Sequence, residues 1–217
     1  MSLACLLIDH DDTLMSTFAL RASVMQRAIK QVFAVSVDGV QLLRDSHGQS
    51  LQQMASAFSE SSADIDEMVR VYRGYYYAEN TAGGVTPFAG ITDVLRRFKQ
   101  ADVPVAVVTS KLGRGARDEL EACALLPYVR TVVGAEDVHN TKPDPEPLML
   151  ALARIHGSHE SALMVGDTSA DILGARAAGA FSAAALWGAA EPESLLASDP
   201  DHILTKPDEL LALFGLD

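Results

Sequence analysis

Short apolar runs that end in polar residues alternate along this chain with stretches of helical spacing, and few folds accept that alternation. The apolar runs are Leu3–Ile8, Val103–Val108, Val129–Val133, Ala162–Val165 and Ala180–Leu186. Runs of this length without polar interruption read as strands buried on both faces. Between them, Ile91, Val94, Leu95 and Phe98 fall at i, i+3, i+4 and i+7, and Leu148, Leu152, Ile155 and then Ile172, Ala175, Ala178 repeat the pattern. That spacing lines one face of a helix. Strand, helix and strand in succession make parallel crossovers, so the expected fold class is α/β: a doubly wound, Rossmann-like parallel sheet.

Residues 15–85 break the rhythm. Arg21–Phe33 has helical spacing, Leu51, Met54, Ala55 and Phe58 continue it, and Ile65, Met68, Val69, Tyr72 and Tyr76 form a stripe at helical intervals. No convincing strand lies here. The expected organisation is an α/β unit of residues 1–14 and 86–217 with a small all-helical domain, residues 15–85, inserted after the first strand. Gly83-Gly84 offers a flexible return. Tyr75-Tyr76-Tyr77 reads as insert core plus rim rather than a ligand platform.

Bulk properties narrow the function. A 217-residue chain with 48% hydrophobic and 21% charged residues can bury a sizeable core. Lys and Arg number 17 against 29 Asp and Glu, for a formal net charge of −12. Without a basic run to override it, that charge argues against nucleic acid and anionic membranes as partners. No segment reaches the ~18 apolar residues a membrane helix needs. The apolar Leu3–Ile8 stretch runs straight into acidic residues and lacks the basic flank of a signal peptide. Cys5 and Cys123 are far apart and in no metal-ligand spacing, so both read as small hydrophobes and a cytoplasmic location is expected.

Four segments carry chemistry, each with a plainer alternative. Asp9-His10-Asp11-Asp12-Thr13-Leu14 follows the first strand directly, at the sheet edge where open parallel sheets bind ligands. Strand alternation would put Asp9 and Asp11 on one side and His10 on the other. Crowded carboxylates want a hard cation such as Mg²⁺; the plainer reading is an acidic turn capping a helix through Asp12 or Thr13. Gly166-Asp167-Thr168-Ser169-Ala170-Asp171 follows another strand, so Asp167 can join the same ion, while Asp171 also suits a helix N-terminus. Thr109-Ser110-Lys111 sets a hydroxyl and backbone N–H groups at a strand end, which can hold a phosphate oxygen or simply cap a helix. Lys142 precedes Pro143 in Thr141-Lys142-Pro143-Asp144-Pro145 and reads either as a fixed cation or as a solvated surface lysine. Together they supply a nucleophile, a second carboxylate, a metal site, a hydroxyl and a cation, which is what phosphoryl transfer needs.

With these four in order, the chain resembles the haloacid dehalogenase superfamily of phosphatases over nearly its whole length. Asp9-His10-Asp11-Asp12-Thr13 is similar to the family's first motif, Thr109 to the second, Lys142 to the third, and Gly166-Asp167 with Asp171 to the fourth. Ala177-Ala178-Gly179 and Trp187-Gly188 also match, and the insert resembles the helical cap of the phosphoglycolate phosphatase group. The resemblance implies that Asp9 attacks phosphorus, that Asp11 serves as acid and then base, and that Thr109 and Lys142 hold phosphoryl oxygens. It implies Mg²⁺ on Asp9, Asp167 and the backbone carbonyl of Asp11, with Asp171 in or just behind that shell. Backbone N–H groups near Asp11, Asp12 and Ser110 would cradle the transferring group. Because the dehalogenase and phosphonatase branches lack a carboxylate at the position of Asp11, a phosphate ester or anhydride is the expected substrate class.

His10 departs from the apolar residue commonest between the two aspartates and reads as a histidine behind the site rather than a ligand. The turn Ser46-His47-Gly48-Gln49-Ser50 is the candidate cap loop, with His47, Gly48 and Gln49 as substrate contacts, against the alternative of an ordinary polar turn. Arg21 and Arg44 are further candidates for an acidic substrate. The expected activity is hydrolysis of a small phosphorylated metabolite by a monomer or homodimer. The alternative is a phosphomutase or phosphotransferase of the β-phosphoglucomutase type.

Overall fold

The computed structural model describes residues 3–46, 50–81 and 83–216. The chain divides into two compact units, residues 1–16 with 87–217, and residues 17–86. The first is α/β. Its strands are β1 (Cys5–Ile8), β4 (Val105–Val108), β5 (Thr131–Val133), β6 (Ala162–Gly166), β7 (Phe181–Ala185) and β8 (His202–Leu204). Two short strands, β2 (Met15–Ser16) and β3 (Thr86–Pro87), lie where the chain leaves and re-enters this unit. The six long-range strands form one sheet in the order β5-β4-β1-β6-β7-β8, every neighbouring pair parallel.

That order decides where a ligand can sit. From β1 the chain builds outward through β4 to β5, then crosses to β6 on the other side of β1. The strand order reverses at β1, and open parallel sheets bind ligands at such a reversal, beyond the strand carboxyl ends. Leu6 faces Val105 on one side and Leu163 on the other, so β1, β4 and β6 run in register and end together.

Helices α5 (Ile91–Gln100), α6 (Gly113–Ala122), α7 (Glu146–Ile155), α8 (Ser169–Ala178), α9 (Pro192–Ala197) and α10 (Glu209–Leu213) surround the sheet. Leu7, Ala106, Val108, Val133 and Met164 pack with Leu148, Ala151 and Leu152 of α7 and Ala175 of α8. On α5 the predicted face is the buried one: Ile91, Val94, Leu95 and Phe98 are buried, and the Phe98 ring meets Phe214 edge-on at 4.8 Å between centroids. Burying each such side chain contributes about 1.5–3 kcal/mol, which fixes these helices on the sheet.

The second unit is all helical: α1 (Phe18–Phe33), α2 (Gly39–Asp45), α3 (Leu51–Ser56) and α4 (Ser62–Thr81). Asp38 caps α2 by accepting from the N–H groups of Val40 and Gln41, and Ser50 with Gln53 forms a capping box on α3. Phe33 stacks on Phe58 at 5.6 Å, Tyr72 on Tyr76 at 6.0 Å, and the Arg27 guanidinium lies 4.0 Å over the Tyr75 ring. Tyr76 is buried and Tyr77 is exposed, which is the core-plus-rim arrangement expected of the tyrosine run. The Gly84 N–H donates to Glu79 O at 3.0 Å, and a Cβ at Gly84 would stand 2.7 Å from that oxygen, so this glycine closes the end of α4. His47, Gly48 and Gln49 lie outside the described residues. Cys5 and Cys123 are free thiols. Among the described residues no helix is long and apolar enough to cross a membrane.

Candidate active site

Asp9, Thr109 and Asp167 are each the first residue past one of three adjacent parallel strands, β1, β4 and β6. Strand register therefore delivers two carboxylates and a hydroxyl to one edge. Lys142 arrives from the loop before α7, bound to Pro143 through a cis peptide bond, and Asp171 from the first turn of α8. All five are buried: Asp9 is 7% exposed, Thr109 5%, Lys142 8%, Asp167 5% and Asp171 0%. A solvated surface lysine is thus excluded for Lys142.

Its ammonium makes three contacts, to Asp9 Oδ1 at 2.8 Å, Asp171 Oδ1 at 2.6 Å and the Val108 carbonyl at 2.8 Å. Asp171 does double duty. Its Oδ2 accepts from the Thr168 N–H at 3.1 Å and the Thr168 hydroxyl at 2.6 Å, capping α8. A Cβ at Gly166 would stand 2.1 Å from Asp171 Cγ, so only glycine lets the end of β6 approach this carboxylate. Thr13 donates its hydroxyl to Asp167 Oδ1 at 2.8 Å.

The electrostatics are unbalanced. Burial lifts the Asp9 carboxyl to about 6 against the pull of Lys142, with Asp171 and Asp11 pushing in the same direction as burial. Burial also holds Asp167 well above the usual carboxylate range, reinforced by Asp9, Asp171 and Asp12. Burial works against the Lys142 ammonium, yet Asp171 and Asp9 together raise it above the ordinary lysine value. One buried cation thus faces several buried carboxylates, and the remaining negative charge calls for another.

Ligand oxygens of Asp9, Asp167 and Asp171 lie within 4.8 Å of one another, close enough to share an ion. An all-oxygen, carboxylate-rich donor set suits Mg²⁺ rather than a softer metal, so these residues fit the implied cofactor. The Asp11 side chain is not in that group; it clusters instead with His10 and Glu119.

The first loop differs from its expected shape. Extended backbone ends at Ile8, His10 and Asp12 are in turns, and Asp12 takes φ of 60°. Alternation therefore no longer applies, and His10 and Asp11 reach a common neighbour instead of pointing apart. The Asp12 N–H, expected to face substrate, donates to Met15 O at 2.7 Å, and the Asp12 side chain is buried beside Asp167. Asp12 therefore shapes the loop instead of offering that donor. Trp187 Nε1 donates to Thr13 O at 3.0 Å, and a Cβ at Gly188 would stand 1.5 Å from Asp12 O. The segment after β7 thus braces the Asp9–Leu14 loop.

Thr109 accepts the Lys111 N–H at 3.1 Å, which leaves its hydroxyl proton to donate elsewhere; Ser110 is exposed. Lys111 Nζ approaches Asp11 Oδ1 at 3.4 Å. Two residues of this region escape sequence reasoning: Glu119, an acid midway along a helix with no motif around it, and Lys111, whose side chain has no distinguishing spacing.

Known proteins resemble this chain over nearly its whole length. The chain is 31% identical to Pyrophosphatase PpaX of Bacillus pumilus over 97% of its own length and 96% of the relative's. It is 27% identical to Pyrophosphatase PpaX of Listeria innocua over 96% and 94%. Among solved structures, a haloacid dehalogenase-like family hydrolase of Streptococcus pneumoniae superposes with a TM-score of 0.82 at 27% identity, covering 98% of both chains. A protein described as a predicted phosphoglycolate phosphatase, from Haemophilus somnus, superposes at 0.88 with 20% identity over 98% of each chain, which speaks for the fold alone. The family model of the haloacid dehalogenase-like hydrolases matches residues 6–185, and to that family this chain belongs.

Proposed function

We propose that this chain is a Mg²⁺-dependent phosphatase of small phosphorylated metabolites that works through an aspartyl-phosphate on Asp9. The carrying observation is the buried Asp9 carboxylate at the end of β1, held at one oxygen by Lys142 and sharing its site with Asp167. In the first half-reaction an Asp9 oxygen attacks phosphorus, the bond to the leaving oxygen breaks, and Asp11 gives that oxygen its proton. In the second, Asp11 takes a proton from water, the water oxygen attacks phosphorus, and the bond to Asp9 breaks, freeing inorganic phosphate. Splitting the displacement lets one acid–base group serve both halves. Asp11 suits that role because its side chain is 19% exposed, against 9% for Asp9, and can meet both leaving group and water.

Lys142 keeps Asp9 ionised and aligned, and its charge offsets that gathering on the phosphoryl oxygens. The Thr109 hydroxyl, and the backbone at Ser110, donate to those oxygens. Asp9, Asp167 and the Asp11 carbonyl would hold Mg²⁺, with Asp171 behind them, and the ion supplies charge neutralisation of the phosphoryl group when bound.

The pyrophosphatase names of the relatives support pyrophosphate as a candidate substrate, to be tried beside phosphoglycolate and sugar phosphates. Two free thiols and an acidic composition fit a reducing cytoplasm. A panel of these substrates, with Mg²⁺ or with chelator, tests the reading. Phosphate release that requires Mg²⁺ is expected, and Asp11→Asn should slow leaving-group release and the following hydrolysis alike in single-turnover kinetics, each by about 10²-fold or more. Release untouched by chelator, or an Asp11→Asn enzyme with both phases intact, would refute it.

A further inference from the structure

Behind the acid–base carboxylate lies a line of polar side chains that the reaction as written does not use. His10, 0% exposed, brings Nε2 to 2.7 Å from Oε2 of Glu119, itself 1% exposed and midway along α6. The other oxygen of Glu119 pairs with Lys111 Nζ, and Lys111 Nζ reaches Asp11 Oδ1 at 3.4 Å. Lys111 and Asp11 are 18% and 19% exposed, so the line runs from the core to the site mouth.

A buried carboxylate and imidazole in the middle of a core are costly to keep when an apolar pair would fill the same space. A helix needs nothing from a glutamate at this position. The neighbouring geometry does. A lysine side chain has four rotatable bonds and loses rotamer entropy when held in one place. Tying its ammonium to a carboxylate that is itself clamped by His10 meets that cost in the folded protein, before substrate arrives. The ammonium is then parked beside Asp11, and Asp11 is held in one orientation.

We propose that Glu119 and His10 are positioning residues for the acid–base step: His10 clamps Glu119, and Glu119 anchors the Lys111 ammonium against Asp11. This rests on the phosphatase reading and adds to it. Asp11 works by meeting the leaving oxygen at the right distance and angle, and a misplaced acid loses rate without losing substrate binding.

Leaving-group dependence separates positioning from mere structural support. An alkyl phosphate needs a proton on its departing oxygen, whereas p-nitrophenyl phosphate departs as a stable phenolate without one. The variants are Glu119→Gln, the double variant His10→Leu/Glu119→Leu, and Lys111→Met, whose partly exposed site keeps the test open if the buried double variant does not fold. First-turnover release of the leaving group is read by rapid quench, together with KM. Release from the alkyl phosphate should fall about 10- to 100-fold, a fraction of what full removal of an acid costs. Release from p-nitrophenyl phosphate should fall less than about 3-fold, with KM for both unchanged, because binding is untouched.

Equal losses on both substrates would reduce Glu119 to structural support. A change confined to KM would make Lys111 a substrate contact, and no change in either would leave the line without a role; each of the three overturns the proposal. A wild-type enzyme that releases nothing from either ester would instead overturn the phosphatase reading itself.

Discussion

Replacing Lys142 by methionine keeps the side-chain length and removes the charge, and the structure sets the size of the result. The ammonium has three partners, Asp9, Asp171 and the Val108 carbonyl, and is almost entirely buried. Breaking a buried pair from one side leaves uncompensated charge and costs about 3–5 kcal/mol. For a chain of this size each kcal/mol moves the melting temperature by roughly 2–4 °C, so Lys142→Met should melt about 10 °C lower. Lys142 is also the main influence opposing burial at Asp9, so its loss carries that carboxyl above its present value of about 6. At neutral pH less Asp9 is then ionised, and the chemical step should slow by at least about 10²-fold. Calorimetry and phosphate release measure the two effects. Adding Asp171→Asn removes one stranded charge and should restore part of the stability and none of the activity, a coupling that a double-mutant cycle reads directly. A Lys142→Met protein that melts within about 2 °C of wild type and turns over normally would show that the Lys142 ammonium neither offsets the buried carboxylates nor serves the chemical step.

The carboxylate cluster makes stability depend on pH with an unusual sign. Asp9 titrates higher folded than unfolded, about 6 against 3.8, so the folded state binds the extra proton and stability falls as pH rises through that window. The shift corresponds to about 3 kcal/mol, with Asp167 acting in the same direction. The rise in melting temperature given by saturating Mg²⁺ should therefore be larger near pH 7 than near about pH 4.5; an increment independent of pH would contradict the shared site. Gly166→Ala places a Cβ 2.1 Å from Asp171 Cγ and should cost about 1–3 kcal/mol while weakening Mg²⁺ affinity, read by melting and by titration calorimetry. Unchanged Mg²⁺ binding would show that Asp171 is independent of the metal residues.

Much of this was legible before the fold was known, because strand ends are legible. The apolar runs ending at Ile8 and Val108 stop where Asp9 and Thr109 begin, and the run ending at Val165 is followed by Gly166 and then Asp167; those three polar residues line the candidate site. The α5 stripe was equally plain because its four apolar residues leave no other face to bury. Other features carry no local signal. β8 has three residues, of which Ile203 is 55% exposed, and α9 and α10 have six and five residues, too short for a period to show. His10 is buried behind the site as expected, but the placement of Asp11 with Asp9 and apart from His10 failed, because alternation holds only while backbone stays extended and the turn here follows from contacts with Met15 and with the distant Trp187–Gly188 segment. Glu119 could not be found at all: an acid on a helix reads as a surface residue until the partner buried against it is seen.

The proposed reaction turns on a covalent bond between Asp9 and phosphorus. Enzyme quenched in acid during turnover and reduced with borohydride converts an aspartyl-phosphate to homoserine, which peptide mass spectrometry places in the chain. Homoserine is expected at position 9, dependent on substrate and absent from Asp9→Asn. Homoserine at another aspartate, or steady phosphate release with none at position 9, would contradict it.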